Sequence, residues 1–517
     1  MIILDYTLKV NLMLWLRSFL GYDNALGMGG KFRFRRTTLL IVAMVAFLCG
    51  LGLARTHIAI AGSWIWLSLM LAVVVLRQKR FASLFFIALL GLSLGWWRGS
   101  VYIRQLSAYQ PLIKRPVIMT AQADTDAIYS KSQLSFDVRR IHVQEPIRAT
   151  LVGKMGIKGF GERAVYRGDI LQIEGKLYPT RGSRQASISY AQLKVLQRSH
   201  STIENLRRRF QTGMLSALPE PLASFGLGLL IGQRNTLPQT ATEQLKSVGL
   251  THIVAVSGYN LTIIMSAVYL ILKKRSKYQS TILSLGLIGL FLLFTGFSPS
   301  IVRAAIVSGL SICALYYGHR FRPLLLLLLA ATMTAGWYPI YIWADIGWYL
   351  SFLAFFGVLI IGPLIIKRIY DKKQPRLITT VVIATLSAQL MTLPLIMYIF
   401  GEVSLIALPA NVLIVPLVPL AMAVSFVAAL GGMLVPSVAG WLAWPAKILL
   451  TYMLDMVNLL ARIPHALTQR RLSLTYMVLF YAIIAACTLI IWSKVKKKNG
   501  IITSKQAEAV TGQADIK

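Results

Sequence analysis

The sequence predicts a polytopic α-helical membrane protein, with about twelve spans, that carries one β-rich domain outside the membrane. Three observations carry that prediction. The 517 residues are 56% hydrophobic and 14% charged, with mean hydropathy +0.65, more apolar surface than one water-soluble core can bury. Apolar runs long enough to cross a hydrocarbon layer recur along the chain, since roughly 20 helical residues span about 30 Å. One stretch, residues 110–200, breaks this pattern with short alternating segments punctuated by Gly, Pro and Ser.

The runs fall near 37–54, 59–76, 81–97, 250–272, 279–297, 300–317, 323–341, 344–366, 378–400, 405–432, 436–461 and 472–492. Segments 220–232 and 405–435 can be read either way, which moves the count by two. No cleavable signal peptide is expected, because the first strong apolar run follows KFRFRR (31–36) and two more runs follow it. Basic clusters set the orientation, since Lys and Arg are held on the cytoplasmic side. KFRFRR, RQKR (77–80), KKRSK (273–277), RFR (320–322), KRIYDKK (367–373) and KVKKK (494–498) all fall on one side of a twelve-span arrangement. Both termini are then cytoplasmic, and residues 98–210 and RIPHALTQRR (462–471) lie outside. The domain reading is an N-terminal region with about three spans (1–97), an external β domain (98–202), a linker helix (203–219), a membrane domain (220–493) and a basic, disordered cytoplasmic tail (494–517).

In the β-rich stretch, VIMTAQA (117–123), 133–143, 147–155, 169–178 and 188–196 read as five short strands, which suits a small barrel of the OB type. Residues 98–210 hold 20 Lys/Arg against 8 Asp/Glu, an excess that cytoplasmic retention cannot explain on the outer side. The whole chain carries +36, from 54 Lys+Arg and 18 Asp+Glu. A polyanion is therefore a candidate partner, beside the plainer reading that basic residues touch anionic lipid. Residues 203–219 read as an amphipathic helix at the membrane surface, its arginines turned to headgroups or solvent. Cys49, Cys313 and Cys487 lie in apolar runs without CxxC spacing and imply neither disulfide nor metal.

Polar residues inside the spans mark the candidate site. HIVAVSGYN (252–260) places His252, Ser257, Gly258 and Asn260 within an apolar run; Ser257 and Asn260 share a helix face, and Gly258 permits close approach or unwinding. His252, five residues from Ser257, points elsewhere, which counts against an intramembrane serine protease. In GFSPSIVRAAIVSG (296–309), Ser298 and Pro299 start a helix and Arg303 lies one turn inside, either snorkelling to the interface or facing a wet path. Thr385, Gln389 and Thr392 form a polar stripe that bonds a neighbouring helix or lines a conduit. Asp345 reads as a helix cap, and Pro394, Pro409, Asn411 and Pro416 are expected to interrupt the later spans around a cavity.

In this order the motifs resemble the ComEC family of competence proteins: N-terminal spans, RGDILQIEGKLY (167–178), HIVAVSGYNL, TGFSPSIVRAA, WYLSFLAFFGV and SAQLMTLPLIMYIFGEVSLIALPANVLIVPLVPL. The resemblance implies a channel passing single-stranded DNA through the cytoplasmic membrane in natural transformation. The DNA path would comprise His252, Ser257, Gly258, Asn260, Arg303, Gln389, Thr392 and Asn411, with helix breaks at Pro299, Pro394, Pro409 and Pro416. Two departures from the family matter. Its usual stretch reads H-x-x-A-x-S-G-x-H, and Asn260 replaces the second His here, keeping hydrogen bonding and losing a titratable ring. Many members also carry a metallo-β-lactamase-like domain, whereas this chain ends soon after its last span and has no HxHxDH motif. No catalytic site, metal or cofactor is therefore expected. With no GxxxxGK[ST] loop, a separate ATP-driven motor is expected, together with a DNA receptor, a nuclease acting from another chain, membrane lipids and a second copy of the chain as partners. The alternatives are a transporter of a solute or lipid-linked glycan, against which the few carboxylates in the spans weigh, and a structural membrane scaffold, which would not need the polar stripe.

Overall fold

The computed structural model describes residues 36–56, 81–130, 133–180, 182–199, 201–233, 236–254, 258, 260–265, 276–318, 323–370 and 375–514. Two apolar helices, α1 (Arg36–Ala54) and α2 (Phe81–Leu106), pack against each other, and a 3-10 turn at Ser107–Leu112 leads from α2 into the β domain. The expected span at 59–76 lies outside the described residues.

The β domain contains β1 (Pro116–Ala123), β2 (Ile128–Ser130), β3 (Gln133–Glu145), β4 (Ala149–Leu151), β5 (Met155–Phe160), β6 (Ile170–Pro179) and β7 (Ala186–Gln197). Five of them close a ring in the order β1–β3–β5–β7–β6 and back to β1, with β2 and β4 added onto β3. Every pairing in the ring is antiparallel except β5–β7. Burial alternates along β1 and β3 as period-two side-chain direction requires, and Met119, Val138, Ile157, Ile173 and Ile188 fill the interior. The single strand expected at 147–155 is corrected. The chain makes the short β4, turns at Gly153, and begins β5 at Met155; the two glycines of MGIKGF hide its alternation from a sequence reading.

The membrane domain follows: α3 (Thr202–Ala217), α4 (Leu222–Ile231), α5 (Gln239–Ser247), α6 (Lys277–Thr295), α7 (Pro299–Tyr316), α8 (Pro323–Trp337), α9 (Ile340–Ala344), α10 (Ile346–Phe356), α11 (Gly362–Tyr370), α12 (Leu377–Ile399), α13 (Ala407–Ile414), α14 (Val418–Leu434), α15 (Ala439–Ala461) and α16 (Leu474–Ala514). Among the described residues, seven segments are long and apolar enough to cross a membrane: Thr37–Ala54, Leu84–Leu112, Lys277–Thr295, Ile346–Tyr370, Thr379–Ile399, Ala407–Leu434 and Leu474–Lys494. The chain is thus a membrane protein with a soluble β domain. The helices at Ser300–Tyr316 and Pro323–Trp337 are apolar but shorter, and residues 255–257, 259 and 266–272 of the expected span at 250–272 lie outside the described residues.

Three expectations change here. Pro394 does not break α12, which runs on through Ile399; a proline removes one N–H and bends a helix without having to end it. Pro409 sits in the first turn of α13, where its missing N–H has no intrahelical partner to lose. The segment beyond Lys498, expected to be disordered, continues α16 as helix to Ala514, in keeping with the helix formers of SKQAEA. By contrast, a 3-10 turn at Val415–Leu417 containing Pro416 separates α13 from α14, and Pro299 starts α7.

At the centre of the main core lies α4, ten residues (LASFGLGLLI) that are all buried, capped by left-handed Gly232. Around it α3 packs on α14 at a distance only glycine allows. A methyl group on Gly213 would stand 2.5 Å from the Met433 nitrogen, and one on Gly432 would stand 1.9 Å from the Gly213 carbonyl oxygen. The linker helix is therefore built into the bundle through Phe210, Met214 and Ala217 instead of lying on the membrane surface.

Candidate functional site

The polar residues of the membrane domain divide into two groups. Asn260 meets α4, and Gly258 meets α7 and α10. Gly258 has helical backbone and faces both: a methyl group there would come within 3.0 Å of the Phe355 ring and 3.2 Å of Ala304 Cβ. Asn260, 1% exposed, donates its Nδ2 to the Leu229 carbonyl at 2.8 Å. Leu229 is among the last four residues of α4, whose carbonyls have no partner within their own helix, and the Gly232 N–H takes only that of Gly228. Asn260 thus caps the C-terminal end of a buried helix. Ser257 lies outside the described residues.

One residue before Ala304, Arg303 has zero exposure and is the largest fully buried side chain among the described residues. Its Nη2 donates to Ser300 Oγ and to the Gly347 carbonyl, each at 3.0 Å, and the guanidinium carbon stands 5.5 Å from the Phe352 ring centroid. Nε and Nη1 are buried without a hydrogen-bond partner. Snorkelling would leave the charged head exposed, so that reading of Arg303 is set aside. Asp345 stands as an opposite charge to Arg303, and its Oδ1 accepts from the Trp348 N–H at 3.0 Å, capping α10 as the sequence predicts.

The second group is elsewhere. Gln389 and Thr392 are half-buried on α12, where Thr392 Oγ1 donates to the Ala388 carbonyl at 2.9 Å. Asn411, 6% exposed, donates to the Ala407 carbonyl at 2.6 Å. His252 is exposed, with Nδ1 3.2 Å from the Gly249 oxygen. The structure thus sets Gly258 against α7 and α10, Asn260 against α4, and Arg303 between α7 and α10, while Gln389 and Thr392 lie on α12 and Asn411 on α13. Sequence reasoning missed the partner on each side: the Leu229 carbonyl, because backbone groups leave no residue-type signal, and Ser300, whose i−3 spacing from Arg303 was readable.

A second polar cluster docks the barrel. Arg167 Nε pairs with Glu204 at 3.4 Å, Arg207 pairs with Glu204 and Asp126 at 3.5 Å each, and the Arg167 backbone N–H donates to Asp126 at 2.9 Å. Arg208 lies 4.2 Å from the Tyr166 ring centroid. Two of the three arginines expected to face headgroups therefore turn inward, because the barrel offers them the Asp126 carboxylate and the face of Tyr166. Asp169, with zero exposure, holds this loop: it accepts from the N–H groups of Tyr166 and Ser199 and from Arg198 at 2.8–3.0 Å. Asp169→Ala leaves those donors unpaired and is expected to cost roughly 2–4 kcal/mol of stability. A melting curve of the full chain in detergent that matches wild type would refute that role. Nearby, burial pushes the Asp124 carboxyl up, but the Lys154 ammonium bonded to it, with Arg139 and Arg167, outweighs burial and holds it below its ordinary value. What this pairing contributes is present at neutral pH and is lost only as pH falls through that lowered value.

Fold and site define a polytopic membrane protein whose soluble β barrel is locked to a helical bundle containing a buried, part-partnered cation. Residues 229–495 match the family model described as "Competence protein", and the chain belongs to that family, of ComEC type. It is 26% identical over 214 residues to ComE operon protein 3 of Bacillus subtilis (strain 168), a match covering 41% of this chain and 27% of that protein. The chain thus aligns with little more than a quarter of that relative's length. No solved structure matches it.

Proposed function

We propose that this protein conducts single-stranded DNA across the cytoplasmic membrane during DNA uptake in competence. It does so as a twelve-span channel with both termini cytoplasmic and residues 98–210 outside. Family membership supports a role in competence, and one observation carries the channel reading: Arg303, buried between α7 and α10, has two guanidinium nitrogens without a hydrogen-bond partner. A buried cation with free donors suits the phosphate of a passing strand, one charge per nucleotide, and a single such contact permits release. Passage requires α7 and α10 to part around it. The path runs past Gly258, Asn260 and Arg303 and on towards Gln389, Thr392 and Asn411; His252 and Ser257 precede it.

The barrel would stand at the outer mouth, and its strand order, with the parallel β5–β7 pair, supports an OB type. Conduction makes and breaks no covalent bond, so the chain acts as a conduit and not as an enzyme. The motor, receptor and nuclease would be separate chains, and a homodimer is compatible with this role. Deleting the gene is expected to leave DNA bound outside the membrane while abolishing its arrival in the cytoplasm, each scored separately with labelled transforming DNA. Unchanged arrival would overturn the channel, and loss of outside binding alone would make the protein a receptor.

A further inference from the structure

We propose that the β5–β7 face of the barrel is a stacking site for the bases of single-stranded nucleic acid, centred on Phe160 and Tyr190. The proposal rests on the DNA reading above and adds where, and through which chemistry, the strand is first held. At this pairing the parallel ladder slips between Ile157 and Gly159, so that Ser189 and Tyr190 of β7 both stand opposite Lys158 of β5. Such a bulge pushes one residue outward. Tyr190 takes that position with φ +61°, in the left-handed region, and its side chain is 72% exposed. A non-glycine residue is strained there, and a ring so exposed recovers little of that cost within the protein.

The ring is not alone. Phe160, 44% exposed, lies 6.2 Å away edge-on at 61°, which leaves a face of each ring open. Phe160 is opposite Gln192, and Gln192 is opposite Glu174; Lys194, two residues along β7, and Lys158 complete the exposed surroundings. Two flat rings between two lysines present what a single strand needs, π-faces for bases and cations for phosphates, with Glu174 and, bonded to the Val195 N–H, Glu162 as opposing charges. Next to the rings along β5 and β7 the outward positions are Lys158, Gln192 and Lys194, all polar, with the exposed Leu196 beyond them.

The site also carries its own control. Glycine adopts the left-handed region freely, so Tyr190→Gly removes the ring while relieving strain, and the variant is expected to melt no lower than wild type. In full-length chain held in zwitterionic nanodiscs at low salt, Tyr190→Gly and Phe160→Ala are each expected to bind a fluorescent oligothymidylate about tenfold more weakly. Binding of a duplex, whose bases are already stacked, should hardly change. Wild-type affinity in both variants, or equal losses for duplex and single strand, would overturn the stacking site. So would a Tyr190→Cys chain that a water-soluble maleimide labels in detergent but not in anionic nanodiscs, which would make the patch a lipid contact. None of these outcomes bears on whether DNA arrives in the cytoplasm, so the site and the channel can fail separately.

Discussion

Arg303→Gln is expected to reduce DNA import about tenfold or more while leaving the protein at least as stable as wild type. The second half of that expectation separates function from packing. A buried guanidinium with Nε and Nη1 unpaired is a net burden on the fold, since desolvating a charge costs several kcal/mol and only Nη2 is bonded. Glutamine keeps a donor for Ser300 or the Gly347 carbonyl and removes the charge. If Arg303 served packing alone, import and melting temperature would fall together. If it meets phosphate, import falls while the melting temperature holds or rises. Arg303→Lys, which keeps the charge but not the forked donors, should import more DNA than the glutamine variant. Wild-type import by Arg303→Gln would remove Arg303 from the path.

What could be read from the sequence was what side-chain periodicity records. Alternation located β1, β3, β6 and β7 to within a few residues, and hydropathy located the membrane domain. It failed where backbone geometry decides. MGIKGF forms β5 although its glycines mask the period, and Pro394 rides inside α12 because a bundle can hold a bent helix. Helix α3 shows a different limit. Its amphipathic pattern fits a membrane surface and a bundle equally well, and only the Gly213–Gly432 approach distinguishes them. The arginines of α3 misled for a related reason, since charge on a helix face announces a polar neighbour without saying whether it is headgroup or carboxylate. Arg303 was legible as an intramembrane cation, and its open nitrogens were not, because hydrogen-bond saturation depends on Ser300 and Gly347 arriving from two helices.

Asn260 gives the last expectation, and it differs from what a conduit wall alone would predict. Were Asn260 only a polar surface for the strand, Asn260→Leu would block import and spare stability. The structure instead spends its amide on the Leu229 carbonyl, at the end of a helix with every residue buried. Leucine leaves that carbonyl without a donor in a place water does not reach, at about 1–3 kcal/mol. Asn260→Leu is therefore expected to lower the melting temperature in detergent and abolish import together, because α4 anchors the core on which α14 and α15 also pack. Histidine, the residue that the ComEC pattern places here, carries a ring N–H that can serve the same carbonyl, so Asn260→His should keep both stability and import. Stability and import kept by that variant would mean that the position needs a donor and not a titratable ring. A leucine variant that melts with wild type would refute the cap, and a histidine variant that folds but fails to import would show that the amide touches the strand itself.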